Sequence, residues 1–93
     1  MDDSPQFIVY TNSRIICPYC VRAKAALTEG SYTFEERDIA NPVVKAELLA
    51  RRPSARTVPQ IFVAADGTHV GGCDELVGLI KEDGLDLLLE MSA

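Results

Sequence analysis

The sequence predicts an α/β domain in which helices flank a four-stranded mixed sheet, in the order β-α-β-α-β-β-α. Three observations carry that expectation. Between Phe7 and Ile39 a short β-branched and aromatic run, a stretch of helix formers and a second extended run follow one another, the pattern of a βαβ unit with a parallel strand pair. A helix start stands at Asn41-Pro42. Two apolar runs around Asp66-Gly67 then read as a hairpin before a closing helix. The 93 residues suffice for one domain, taken as 1–93, and are too few for two.

Each element has a local cause. Phe7-Ile8-Val9-Tyr10-Thr11 is short, β-branched and aromatic, as a buried strand requires. Pro18 suits the first turn of a helix, Val21 to Leu27 is rich in good helix formers, and Gly30 is expected to end it. Tyr32 to Ile39 reads as the second strand, with Tyr32 and Phe34 on one side and Glu35 on the other. Asn41 should cap a helix whose apolar stripe is Val43, Val44, Leu48 and Leu49 and which stops before Pro53. Gln60 to Ala64 and His69-Val70 are the hairpin strands. Asp74 is expected to cap a helix through Leu76, Val77, Leu79 and Ile80 that closes near Gly84, and a helical turn from Leu85 to Met91 ends the chain.

Apolar residues make up 47% and charged residues 25%, ordinary globular usage that excludes a disordered chain. Nine basic residues face 14 acidic ones, a net charge of −5, which argues against a nucleic-acid binder. No apolar run approaches the roughly 20 residues of a membrane helix. The start Met1-Asp2-Asp3 lacks the basic head of a signal peptide. A soluble cytoplasmic monomer is the expectation.

The three cysteines, Cys17, Cys20 and Cys73, are too few for a secreted disulfide scaffold. Cys17-Pro18-Tyr19-Cys20 opens the helix of the βαβ unit, where a C-x-x-C pair reads as a redox motif. At a helix N-terminus, free N–H groups and the dipole stabilise a thiolate. Arg14, Arg22 and Lys24 lie nearby, and residues 14–28 contain no acid. The Cys17 thiol should therefore ionise below the roughly 8.5 of a free thiol. Cys20 shares its helix face and can close a disulfide. Cys17 is the expected nucleophile and Cys20 the resolving thiol. Residues 48–65 form a second acid-free stretch with Arg51, Arg52 and Arg56; the two stretches hold six of the nine basic residues and are expected to flank one anion-attracting cleft.

Three motifs in this order make the chain resemble a dithiol glutaredoxin of the CPYC type, from about Phe7 to Leu89: Cys17-Pro18-Tyr19-Cys20-Val21-Arg22-Ala23-Lys24, then Arg56-Thr57-Val58-Pro59-Gln60-Ile61-Phe62, then Gly71-Gly72-Cys73-Asp74-Glu75-Leu76. The resemblance implies a thioredoxin-like fold, glutathione as co-substrate and no metal. It implies reduction of protein–glutathione mixed disulfides through Cys17 and of some protein disulfides with Cys20 as well, ribonucleotide reductase being among the partners it suggests. By position it places Arg14 near the glycine carboxylate of glutathione and Tyr19 beside the tripeptide. Thr57 joins the set, Val58 pairs with the cysteinyl part beside a cis peptide at Pro59, and Gly72, Cys73 and Asp74 hold the γ-glutamyl end. A helix start with preceding glycines suits that carboxylate on physical grounds too.

The segment Thr11 to Ile16 is longer than in most of the family, and Ile15 and Ile16 stand where smaller or polar residues are usual, which suggests a docking surface. Glu75 replaces a common Asp and is assigned no contact. Cys73 reads as a packed residue. Three rival readings stand beside the enzyme. Cys17, Cys20, His69 and Cys73 spell a C-x2-C…H-x3-C zinc set. A glutathione-ligated iron–sulfur carrier of related type, or a thioredoxin-type reductant fed by a flavoprotein reductase, are the others.

Overall fold

The computed structural model describes residues 4–92, so the acidic start read as lacking a signal-peptide head lies outside the described residues. The elements are β1 Phe7–Thr11, α1 Pro18–Glu29, β2 Phe34–Asp38, α2 Pro42–Arg51, β3 Gln60–Val63, β4 His69–Gly71, α3 Cys73–Lys81 and α4 Gly84–Ser92. The sheet order is β2-β1-β3-β4. β1 pairs parallel with β2 and antiparallel with β3, whose hairpin partner β4 forms an edge. This is the expected mixed four-stranded sheet, and the turn after Gly84 is a full helix.

β1 is buried along its whole length because layers cover both faces. Alternation sends Phe7 and Val9 into one cluster with Ala23 and Leu27 of α1, Leu76 of α3 and Leu85 of α4. Ile8 and Tyr10 enter the other, with Leu48 of α2 and Phe62 of β3. The edges are guarded differently. β2 is charged, with Glu35, Glu36, Arg37 and Asp38 in five residues, and β4 is only three residues long. Tyr10 is fully buried and donates to Glu47 Oε1 at 2.7 Å, while Arg37 bonds both Glu47 and Glu35. Among the described residues no helix is long and apolar enough to cross a membrane.

Three local expectations are corrected. β2 begins at Phe34, because Ser31 takes a left-handed conformation (φ 63°) and turns the chain ahead of it. Tyr32 instead packs edge-on against Phe7 at 5.7 Å and donates to Asp86 at 2.5 Å, which ties α4 to the body. Gly30 ends α1 as expected, with φ −81°, and a Cβ there would lie 2.8 Å from the Tyr32 ring. The apolar stripe of α2 narrows to Val44 and Leu48, one turn apart, while Val43 is 77% exposed. The cap of α3 is Gly72, with Asp74 inside the first turn. The cap at Asn41 is as expected, its side chain accepting from Val43 N at 2.9 Å.

His69 of β4 links this frame to the segment before β3. The Gln60 amide nitrogen donates to the Thr57 carbonyl at 2.9 Å, so its oxygen faces His69 Nε2, which donates across 2.7 Å. The imidazole leans on Phe62 at 4.9 Å between centroids. Burial, and then the Arg52 charge, push its pKa below 6.5, against a smaller opposing effect of Glu75.

Two measurements check this account. Leu27→Ala, at a fully buried site, should cost about 2–5 kcal/mol, and Asn41→Ala about 1 kcal/mol, both as lower denaturant midpoints with unchanged slopes. Proton NMR of the single histidine should show titration below 6.5, moving up in Arg52→Gln and further down in Glu75→Gln. Because the folded pKa is the lower one, His69 stabilises above about 6.5 and that contribution is lost as pH falls through the folded value. A titration at or above 6.5 contradicts the assignment.

Candidate active site

The loop leaving β1 delivers Cys17 to the N-terminus of α1, where it is the cap residue with Pro18 following in the first turn. Its Sγ accepts from the Cys20 backbone N–H at 3.1 Å and lies 3.7 Å from the Val58 carbonyl oxygen. Cys17 and Cys20 form a disulfide with Cα atoms 5.3 Å apart. The pair is asymmetric. Cys20 is buried at 4% exposure, whereas Cys17 is partly open to solvent, so a substrate sulfur reaches Cys17 first. In the reduced state the N–H aimed at Cys17, with the helix N-terminus behind it, favours the thiolate there. This asymmetry suits the nucleophile and resolving roles expected from the spacing.

Tyr19, Thr57, Val58, Pro59, Gly72, Cys73 and Asp74 line one groove of about 280 Å³ beside Cys17, together with Glu75. The Val58–Pro59 peptide is cis. At one end of the groove is the start of α3, whose first N–H groups have no partner within the helix. Gly71 makes the approach possible: its φ is 125° and a Cβ there would lie 2.8 Å from Glu75. Glu75, left without a contact in the sequence reading, accepts from the Gly72 N–H at 3.0 Å and braces the turn into α3. A Glu three residues after a cap is the signal that finds it, once the cap is placed at Gly72 rather than Asp74.

Arg14 is not part of this groove. It is exposed in the loop, and its charge acts on Asp38, whose carboxyl is held low by hydrogen bonds from Ser13 and Ala40. The basic residues divide likewise. Lys24 pairs with Glu36 at 3.1 Å; Arg51 pairs with Glu47 and covers Phe62, so both are turned away. Arg22 stacks over Tyr19 at 5.4 Å, and Arg52 and Arg56 line a polar recess of about 260 Å³ that shares Thr57, Gly72 and Glu75 with the groove. The expected cleft thus keeps Arg22, Arg52 and Arg56.

Cys73 belongs to the core at 5% exposure, and burial pushes its thiol up, so it packs rather than attacks at neutral pH. His69 is held by Gln60, and among the described residues no three His, Cys, Asp or Glu side chains converge as a metal set, so the C-x2-C…H-x3-C residues are not brought together as ligands.

The sequence profile of the glutaredoxin family matches residues 8–70. Glutaredoxin 3 of Escherichia coli is 44% identical over 82 residues, covering 88% of this chain and 94% of its own length. Among solved structures, the glutaredoxin of Brucella melitensis superposes with a TM-score of 0.72 at 42% identity, covering 96% of this chain and 92% of its own. A buckwheat glutaredoxin–glutathione complex shares the fold, with a TM-score of 0.73 at 24% identity over 95% of this chain and 79% of its own. With its C-x-x-C pair at the start of α1 and its thioredoxin-like fold, the chain belongs to the glutaredoxin family of thiol–disulfide oxidoreductases.

Proposed function

We propose that this protein reduces mixed disulfides between glutathione and proteins, and some protein disulfides, with glutathione as electron donor. The observation that carries the reading is the single groove that runs from Cys17 past Val58 to the N-terminus of α3. Its shape and chemistry suit a short anionic peptide carrying a thiol. The backbone of Val58 can pair with the cysteinyl residue, and the N–H groups of Cys73 and Asp74 can receive the γ-glutamyl carboxylate. The Asp74 carboxylate can meet the γ-glutamyl ammonium, and Arg22, Arg52 and Arg56 draw the net anion in. That the buckwheat protein of this fold is known with glutathione supports the reading.

The reaction is exchange between sulfurs. The Cys17 thiolate attacks the glutathione sulfur of a protein–glutathione disulfide, and the protein thiolate leaves and takes a proton from solvent. A second glutathione thiolate then attacks the Cys17–glutathione bond, releasing oxidised glutathione and restoring Cys17. On a protein disulfide, Cys20 instead displaces the substrate thiol from Cys17, giving the Cys17–Cys20 disulfide of this structure, which two glutathiones reduce in turn.

Cys17→Ser should lower every thiol transfer to the uncatalysed rate. Cys20→Ser should keep activity on glutathione mixed disulfides and lose it on protein disulfides. The measurement is NADPH oxidation coupled through glutathione reductase, run beside the same assay with thioredoxin reductase as donor. Turnover that depends on thioredoxin reductase and not on glutathione rejects the proposal, and a reversed pair of mutant phenotypes rejects the cysteine roles.

A further inference from the structure

We propose that a second groove, between the Cys17 loop and α2, receives the protein side of the substrate disulfide and selects an extended acidic segment with a large apolar residue next to the reacting cysteine. The inference rests on the thiol-exchange reading above and names the partner's chemistry.

Val58 lines both this groove, of about 620 Å³, and the groove that ends at α3, and its carbonyl lies 3.7 Å from Cys17 Sγ. The volume falls in the range that takes several side chains. Ile39 and the buried Leu48 form its apolar base, and Ile15 and Leu49 are exposed beside them. Ile16, directly before the nucleophile, is 95% exposed, and Ile15 is 53% exposed. Two large aliphatic side chains left in water at the reaction centre mark a contact surface.

Charge identifies the occupant. Lys45 and Arg56 line the groove and no Asp or Glu does. Among the described residues neither cation has a carboxylate within ion-pair distance. On a chain of net −5 this acid-free edge complements a carboxylate of the partner. The chemistry supplies the geometry. Once Cys17 is bonded to a substrate sulfur, residues flanking the substrate cysteine advance about 3.3 Å each. One of the two chain directions then passes Val58 and Ile15 into the groove.

The test uses the full chain with Cys20→Ser and peptides whose single cysteine is a mixed disulfide with thionitrobenzoate. The Cys17 thiolate attacks the peptide sulfur, the bond to thionitrobenzoate breaks, that better leaving group departs as a coloured thiolate, and a Cys17–peptide disulfide forms without any external oxidant. One peptide carries Leu and Asp beside the cysteine, another Ser and Lys, and the third probe is the cysteine mixed disulfide alone. The Leu/Asp peptide should react about tenfold faster than the Ser/Lys peptide, with a preference that salt weakens. Lys45→Glu should reverse the charge preference and Ile15→Ser should reduce the advantage of Leu, while both leave the small probe unchanged. Equal rates for the two peptides overturn the proposal, as do losses shared by the small probe. Glutathione takes no part in this assay, so a failure of the glutathione reading would register only in the coupled assay described above.

Discussion

The antiparallel pairing of β1 with β3, which sets Tyr10 opposite Gln60, holds the chain leaving one strand against the chain entering the other. Cys17 and the Thr57–Pro59 segment, far apart in sequence, meet there. A slip of one residue would turn Ile8 and Tyr10 toward the wrong layer, so the register is enforced by both cores at once. Polar ties back it up. Tyr10 reaches Glu47 of α2 on one side, and Gln60 joins Thr57 to His69 of β4 on the other. The groove inherits its shape from this pairing, since Val58 stands between Cys17 and the start of α3.

Burial separates three chemically identical thiols. Cys17 is reachable and faces a backbone N–H, Cys20 sits beneath it, and Cys73 is packed in the core with its thiol pushed up. The cations are sorted by their partners in the same way. Glu36, Glu47 and Asp38 draw Lys24, Arg51 and Arg14 toward the β2 and α2 side, which leaves Arg22, Arg52 and Arg56 around the groove. An acidic protein thereby keeps a cluster of cations beside the groove.

Much of the fold was legible because its causes are local. Pro18 and Asn41 announce helix starts through their own backbone and side-chain chemistry, and the alternation of β1 needs only a cover on both faces. The site was legible through its motifs, whose Tyr19, Thr57, Val58, Pro59, Gly72, Cys73 and Asp74 line one groove, whereas Arg14, outside the motifs, does not. What failed was the choice of partner. Val43 looks apolar enough for a core, yet only the angle of α2 against the sheet decides that Val44 and Leu48 face inward. Asp74 is a good cap by type, yet Gly72 takes the position with Glu75 bracing it.

The sequence by itself determined the order of elements, the starts of α1 and α2 and the cysteine pair, because each depends on residues within a turn or two of one another, and it pointed to the family through three such local motifs. Only the tertiary structure decided which arginines remain at the groove, where Glu75 and His69 act, and that Ile15 and Lys45 share a second groove. The grooves depend on segments tens of residues apart that the sheet register brings together, whereas the contacts of Glu75 and His69, three and nine residues apart in sequence, depend on the cap at Gly72 and on the pairing of β3 with β4.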